Sequence, residues 1–188
     1  MKTLTKKDLA LQIHLEVGLS VKSAKAAVDK LVELNKAAIL EGLRIRLLNC
    51  TCIVSSIKSP RPGRNPKTGE YHEILSRVSI RASNNTSLGK KYLKSEMVSD
   101  LVMSSGYSLE DATAIAGLWR EFLVKPMTSD CRIEIRGFGT FSYSESKAGK
   151  QTRNPKTGVN GELKCDRKKL KFKPSRLLTE EANSINGL

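Results

Sequence analysis

Apolar residues recur along the chain with two periods, and the succession of periods occurs twice. Leu9, Ile13 and Val17 fall at helical spacing and stop at Gly18, with Thr5-Lys6-Lys7-Asp8 as a capping start. After Ser20 as N-cap, Val21, Ala24, Val28, Leu31, Leu34 and Ala38 make one stripe of about five turns, which predicts a longer helix. Ile45 and Leu47 then alternate with arginines, the period of a strand. Further on, Met97 and Leu101 mark a helix and Ser108-Leu109-Glu110-Asp111 a capping box. Leu109, Ala112, Ala116, Trp119 and Leu123 mark the next helix, which Pro126 is expected to end early. Ile133 and Ile135 alternate with charged residues as a second strand.

At one point the repetition is literal: Arg-Asn-Pro-Lys-Thr-Gly stands at Arg64 to Gly69 and again at Arg153 to Gly158. Upstream, Gly18-Leu19-Ser20 lies over Gly106-Tyr107-Ser108 at an offset of 88, which becomes 89 at the hexapeptide. The expected organisation is one module over residues 1–83, a linker over 84–92 and a second module over 93–188. Around each hexapeptide, from Ser55 to Arg81 and from Ser142 to Lys169, large apolar residues are few. Asn at the first turn position, Pro with φ preset and Gly at positive φ predict a hairpin loop. Each copy therefore projects a two-stranded ribbon. A bare hairpin is marginal in water, so something outside the chain is expected to order it.

Charge indicates what that is. The chain carries 33 Lys plus Arg against 19 Asp plus Glu, a net +14 over 188 residues. Ser142 to Arg176 holds eleven basic residues and three acids, and Ser55 to Arg81 six and two, whereas Tyr92 to Phe141 holds five and seven. Basic charge concentrated on the projecting parts suits phosphate contacts and counterion release, and a merely solvated face needs no single sign on both ribbons. Arg61, Arg77 and Arg81 on the first ribbon, with Lys147, Lys150 and Lys164 on the second, are candidate contacts. Pro66 and Pro155 have two readings: they form the turns, or each also holds a rigid apolar ring able to wedge between base pairs from the minor groove.

Other classes recede. No uncharged apolar run approaches the roughly 18 residues of a membrane span, and the basic start with its early acid is unlike a signal peptide, so the protein is expected to stay where it is made. Four cysteines without a C-x-x-C pair and two distant histidines give no zinc site, and Cys50 and Cys52 read as packing residues of a reducing cytosol. No catalytic triad or phosphate-cradling glycine loop is present, so neither enzyme nor cofactor is expected.

The helix, the Gly-x-Ser junction, the long helix, Gly137-Phe138-Gly139-Thr140-Phe141, the Arg-Asn-Pro-x-Thr-Gly tip and Leu170-Lys171-Phe172-Lys173-Pro174 together resemble the HU/IHF family of bacterial DNA-bending proteins. The resemblance covers nearly all of both copies. It implies an α+β fold in which two modules form an intertwined helical body with a β-sheet saddle and two protruding β-ribbon arms. It also implies a function, bending or compacting double-stranded DNA with low sequence specificity. By position, Pro66 and Pro155 would be the wedges, Arg64, Asn65, Lys67, Arg153, Asn154 and Lys156 the arm-tip contacts, and Lys168, Lys169, Lys171 and Lys173 the saddle lining. Phe141 and Phe172 read as core aromatics.

One chain holding both modules suggests the family's dimer made covalently, with a homodimer of exchanged halves as the competing arrangement. The expected location is the cytoplasm, on the nucleoid or on viral DNA. Copy one departs from the pattern, with Asn49-Cys50-Thr51-Cys52-Ile53 in place of Gly-Phe-Gly-Thr-Phe and Arg81-Ala82-Ser83 in place of Phe-Lys-Pro. Those departures motivate an alternative, a structural or regulatory protein of the same fold that binds a protein partner, either a virion component or an antagonist of a host nucleoid protein. RNA fits less well, since narrow ribbons suit a B-form minor groove.

Overall fold

The computed structural model of the chain describes residues 2–48, 51–83, 89–153 and 156–187. Each half forms the two expected helices, α1 (Lys6–Val17) and α2 (Val21–Leu40) in the first, α3 (Lys94–Ser105) and α4 (Leu109–Thr128) in the second. Gly18 and Gly106 end the short helices at φ of 78° and 67°, where a residue with a Cβ is strained. Ser20 and Ser108 open the long ones by accepting from the amides of Ser23 and Asp111 at 3.1 and 3.0 Å.

At the start of α1, Asp8 Oδ2 accepts from the Thr5 amide at 2.7 Å and from the Thr5 hydroxyl at 2.8 Å. Partial burial works against the charged carboxyl, but these bonds, the Asp8 amide and the nearby Lys2 outweigh it and hold Asp8 below the usual carboxylate range. Asp8→Ala is expected to cost about 1 kcal/mol at neutral pH. Because the folded pKa is the lower one, that contribution is complete above the unfolded carboxylate value near 4 and disappears as pH falls through the folded value. Urea titrations of parent and variant should therefore separate at pH 7 and converge at low pH.

Two helical expectations need correction. Pro126 does not end α4, which continues to Thr128 and equals α2 at 20 residues. The ring forfeits one bond, to Phe122, in the last turn, while Pro126 is itself buried and the Ser129 amide still reaches Lys125 O at 2.9 Å. Val21 and Leu109, read as members of the apolar stripes, are exposed because each stands in a first turn that overhangs the core.

The strands in chain order are β1 (Lys2–Thr5), β2 (Arg44–Leu48), β3 (Thr51–Lys58), β4 (Arg61–Arg64), β5 (Tyr71–Ile74), β6 (Arg77–Ser83), β7 (Lys91–Tyr92), β8 (Cys131–Ile135), β9 (Gly139–Ser146), β10 (Gln151–Arg153), β11 (Asn160–Glu162) and β12 (Arg167–Pro174). They form two four-stranded sheets, β7-β2-β3-β6 and β1-β8-β9-β12, and two hairpins, β4-β5 and β10-β11. The edge strands are exchanged. β1 of the first half runs parallel to β8 of the second, with Leu4 opposite Ile133, and β7 of the second half runs parallel to β2 of the first, with Tyr92 opposite Ile45. Both pairings are related by the repeat offset of 88. Of the segment read as linker, residues 84–88 lie outside the described ones, and Lys91–Tyr92 are strand.

A helix without a counterpart in the sequence expectations, α5 (Arg176–Ile185), closes the second half, its Ser175 cap accepting from the Leu178 amide at 3.2 Å. It packs on α2 and β6 of the first half, where Asn183 Oδ1 accepts from the Val78 amide at 2.7 Å. Helices and inward sheet faces enclose one hydrophobic core. Its aromatic part belongs to copy two: the Phe138 ring lies 6.2 Å from Trp119, 6.1 Å from Phe141 and 5.3 Å from Phe172, and Phe141 lies 4.7 Å from Phe172. Gly139 admits this cluster, because a Cβ there would stand 2.4 Å from Lys173 O and 2.7 Å from the Phe172 ring. In copy one Thr51 takes the glycine's place, and Ala82 stands opposite Ile53 as Phe172 stands opposite Phe141. Cys52 is buried, as its packing role requires, and Cys50 lies outside the described residues.

Candidate nucleic-acid interface

The outer parts of β3 and β6 continue into the β4-β5 hairpin, and those of β9 and β12 into β10-β11. The two arms are thus extensions of the two sheets. At the first tip Asn65 Oδ1 accepts from the Lys67 amide at 2.9 Å, the Asn65 amide donates to Glu70 O at 2.9 Å, and Gly69 sits at φ 77°. This fixes Pro66 and Lys67 at an exposed turn. Arg64 Nε donates to Gly69 O at 3.1 Å, and Arg153 Nε to Gly158 O at 3.3 Å, so the repeated hexapeptide makes the same arginine-to-glycine clasp twice. Asn154 and Pro155 lie outside the described residues.

Nearly every other candidate is exposed: Arg61, Arg64, Lys67, Arg77 and Arg81 on the first arm and its root, Lys147, Lys150, Arg153, Lys156 and Lys164 on the second. Asn65 is half-buried, engaged by its own turn. Along β12 the alternation divides the four lysines assigned to the saddle. Lys169, Lys171 and Lys173 stand on the face opposite buried Leu170 and Phe172, and their cross-strand neighbours are Ser144, Ser142 and Thr140. That face offers cations and hydroxyls, the groups that take phosphate oxygens. Lys168 shares its parity with Leu170 and lies over the Tyr143 ring at 5.1 Å, with Glu145 opposite. It is not part of the same row. Strand β6, bearing Arg77 and Arg81, is in contact with β12, so the basic rows of the two halves adjoin.

Lys58, absent from the candidates, pairs with Arg77 across β3 and β6 and lines a recess of about 270 Å³ at the root of the first arm with Ser59, Arg61 and Ser79. Cross-strand register is the signal that finds it. Arg120 is a second residue that sequence reasoning missed. It rises from α4, donates from Nε to Leu47 O at 2.9 Å and lies beside Arg46, and burial together with that neighbour lowers its pKa. Among the described residues no group of His, Cys, Asp or Glu could hold a metal ion, and no helix is long and apolar enough to cross a membrane.

A helical body whose two sheets run out into two cationic hairpins of one design defines a protein made to hold an extended polyanion. The model of the family described as bacterial DNA-binding protein matches twice, over residues 4–92 and 92–183. The integration host factor subunit alpha of Marinomonas sp. is 38% identical over 80 residues, covering 43% of this chain and 82% of that protein. The same subunit of Bordetella avium is 41% identical over 84 residues, covering 44% and 72%. Among solved structures, an Anabaena HU–DNA cocrystal matches with a TM-score of 0.38 and 26% identity over 47% of this chain and 94% of that one. The chain belongs to this family of bacterial DNA-binding proteins, the HU/IHF group, as two modules in tandem. The group comprises DNA-binding architectural proteins, not enzymes.

Proposed function

We propose that the chain is an architectural protein that bends or compacts double-stranded DNA with low sequence specificity. The duplex lies along the adjoining basic strands β6 and β12 and is embraced by both arms. Pro66 and Pro155 enter the minor groove and unstack a base step each. One observation carries the reading: two hairpins with the same clasped tip, both exposed and basic, extend from the two sheets of one body. Bending a site of 20–30 base pairs costs about 1–6 kcal/mol, which the added phosphate contacts along the wrapped duplex offset. Contacts to phosphate and to shape carry little base information, hence the low specificity.

The reciprocal strand exchange supports a covalent pseudo-dimer, one copy per half; family membership supports action in the cytoplasm, on nucleoid or viral DNA. Light scattering should return the mass of one chain, and one chain per short duplex; a mass of two chains would favour exchanged halves. Fluorescence anisotropy tests the binding itself. The dissociation constant for a duplex should rise about tenfold or more between 50 and 200 mM salt, as counterion release requires. A nearly constant value would remove phosphate contacts as the source of affinity.

A further inference from the structure

The two arms share their clasp and differ in what stands opposite it. In the first arm Arg64 pairs across the hairpin with Tyr71, and in the second Arg153 pairs with Asn160. The Arg64 guanidinium carbon lies over the Tyr71 ring at 5.7 Å, while its Nε is held by Gly69 O at 3.1 Å. Tyr71 is 75% exposed, and it adds nothing to the core. Here the ring is braced by a planar cation whose orientation is itself fixed by a backbone bond. Ring and guanidinium make a rigid π-surface immediately below the turn that carries Pro66.

Resting on the DNA-bending reading, we propose that Tyr71 is a stacking site for a nucleobase, receiving on its ring the face of a base that the Pro66 wedge exposes at the kink. Every base offers a π-face, so such a contact adds affinity without demanding a sequence. The charge of the arm is compatible with this ligand. Arg61, Arg64, Lys67 and Arg77 outnumber the acids Glu70 and Glu73; Glu70 accepts from the Thr68 hydroxyl at 3.0 Å, and Glu73 stands opposite Pro62. The second arm, with Asn160 at the equivalent place and the larger excess of basic residues, has no ring beside its clasp and relies on its phosphate contacts and the Pro155 wedge. The arms therefore differ in one contact: stacking on Tyr71 is insensitive to salt, whereas the phosphate contacts of both arms are sensitive to it.

The test measures dissociation constants of the full chain for one duplex, at two salt concentrations, with Tyr71→Ser, Tyr71→Phe and Asn160→Ser. Tyr71→Ser should weaken binding about tenfold at both concentrations and leave the salt slope at the parent value, within the range seen when a stacking aromatic is removed. Tyr71→Phe and Asn160→Ser should stay within about twofold of the parent, since one keeps the ring and the other never had it. Circular dichroism should be unchanged for all three, as expected for exposed positions. Parental affinity in Tyr71→Ser, an equal loss in Tyr71→Phe, or a loss accompanied by a shallower salt slope would each overturn the stacking role; the last would assign Tyr71 to holding Arg64 against phosphate. A parent chain that binds no duplex would sink the DNA-bending reading itself, a result separate from any of these.

Discussion

Replacing Pro66 and Pro155 together by alanine should abolish most of the bend while leaving most of the affinity. In fluorescence transfer between the ends of a duplex of about 30 base pairs, the parent should bring the ends together and the double variant should leave transfer near that of free DNA. The physical reason lies in where each energy arises. The phosphate contacts proposed for Arg61, Arg64, Lys67 and their counterparts on the second arm do not depend on the proline rings. Unstacking a base step costs a few kcal/mol and requires a rigid apolar group in the gap, which alanine does not supply. The first turn survives the change, because Asn65 Oδ1 accepts from the Lys67 amide and Gly69 holds φ 77° whatever stands at position 66. Bending equal to that of the parent would remove the wedge from the mechanism. Single variants separate the two tips, and equal halves of the effect are the expected outcome if both insert.

The second large effect concerns the body. Phe138→Ala should destabilise the fold by about 3–5 kcal/mol, the usual cost of deleting a fully buried phenylalanine ring. Phe138 is fully buried and is the one ring in contact with all three of Trp119, Phe141 and Phe172, so its loss opens a void in the middle of the cluster. Against a total stability of about 5–15 kcal/mol this is a large fraction, and thermal melting should show a midpoint lower by about 10 °C or more. Leu177→Ala is the control. That side chain is 65% exposed on α5, and its removal should stay within about 0.5 kcal/mol. A Phe138→Ala midpoint close to the parent's would mean that the cluster relaxes to fill the space.

What is legible in the sequence is local or duplicated. Gly18, Gly106, Ser20 and Ser108 bound helices by their own backbone chemistry, and the repeated Arg-Asn-Pro-Lys-Thr-Gly marks both arm tips because a turn is made by the residues within it. What escapes depends on a partner distant in the chain. Lys2–Thr5 and Lys91–Tyr92 are strands only because β8 and β2 of the opposite halves lie beside them, and nothing in so short a run specifies a parallel pairing. Pro126 reads as a breaker by the effect it has in a helix interior, whereas its position in the last turn of α4 limits the loss to a single bond. Charge alone groups the four lysines of β12. Counting in twos from Leu170 separates them, with Lys168 on the other face. Tyr71 gives no signal, because a lone aromatic in a polar stretch has no periodicity to flag it.

In the mutual clasp of the halves, each lends its first strand to the other's sheet, and both strands belong to one chain. A protein assembled from two identical subunits must keep both hands alike, since any change appears on each side of the axis. Here a substitution falls on one hand only. Tyr71 opposite Arg64 and Asn160 opposite Arg153 are such a divergence, and so are Ala82 and Phe172. On the proposed seating, a duplex would meet a left that differs from its right, and the complex would have a direction along the DNA axis even where the base sequence has none.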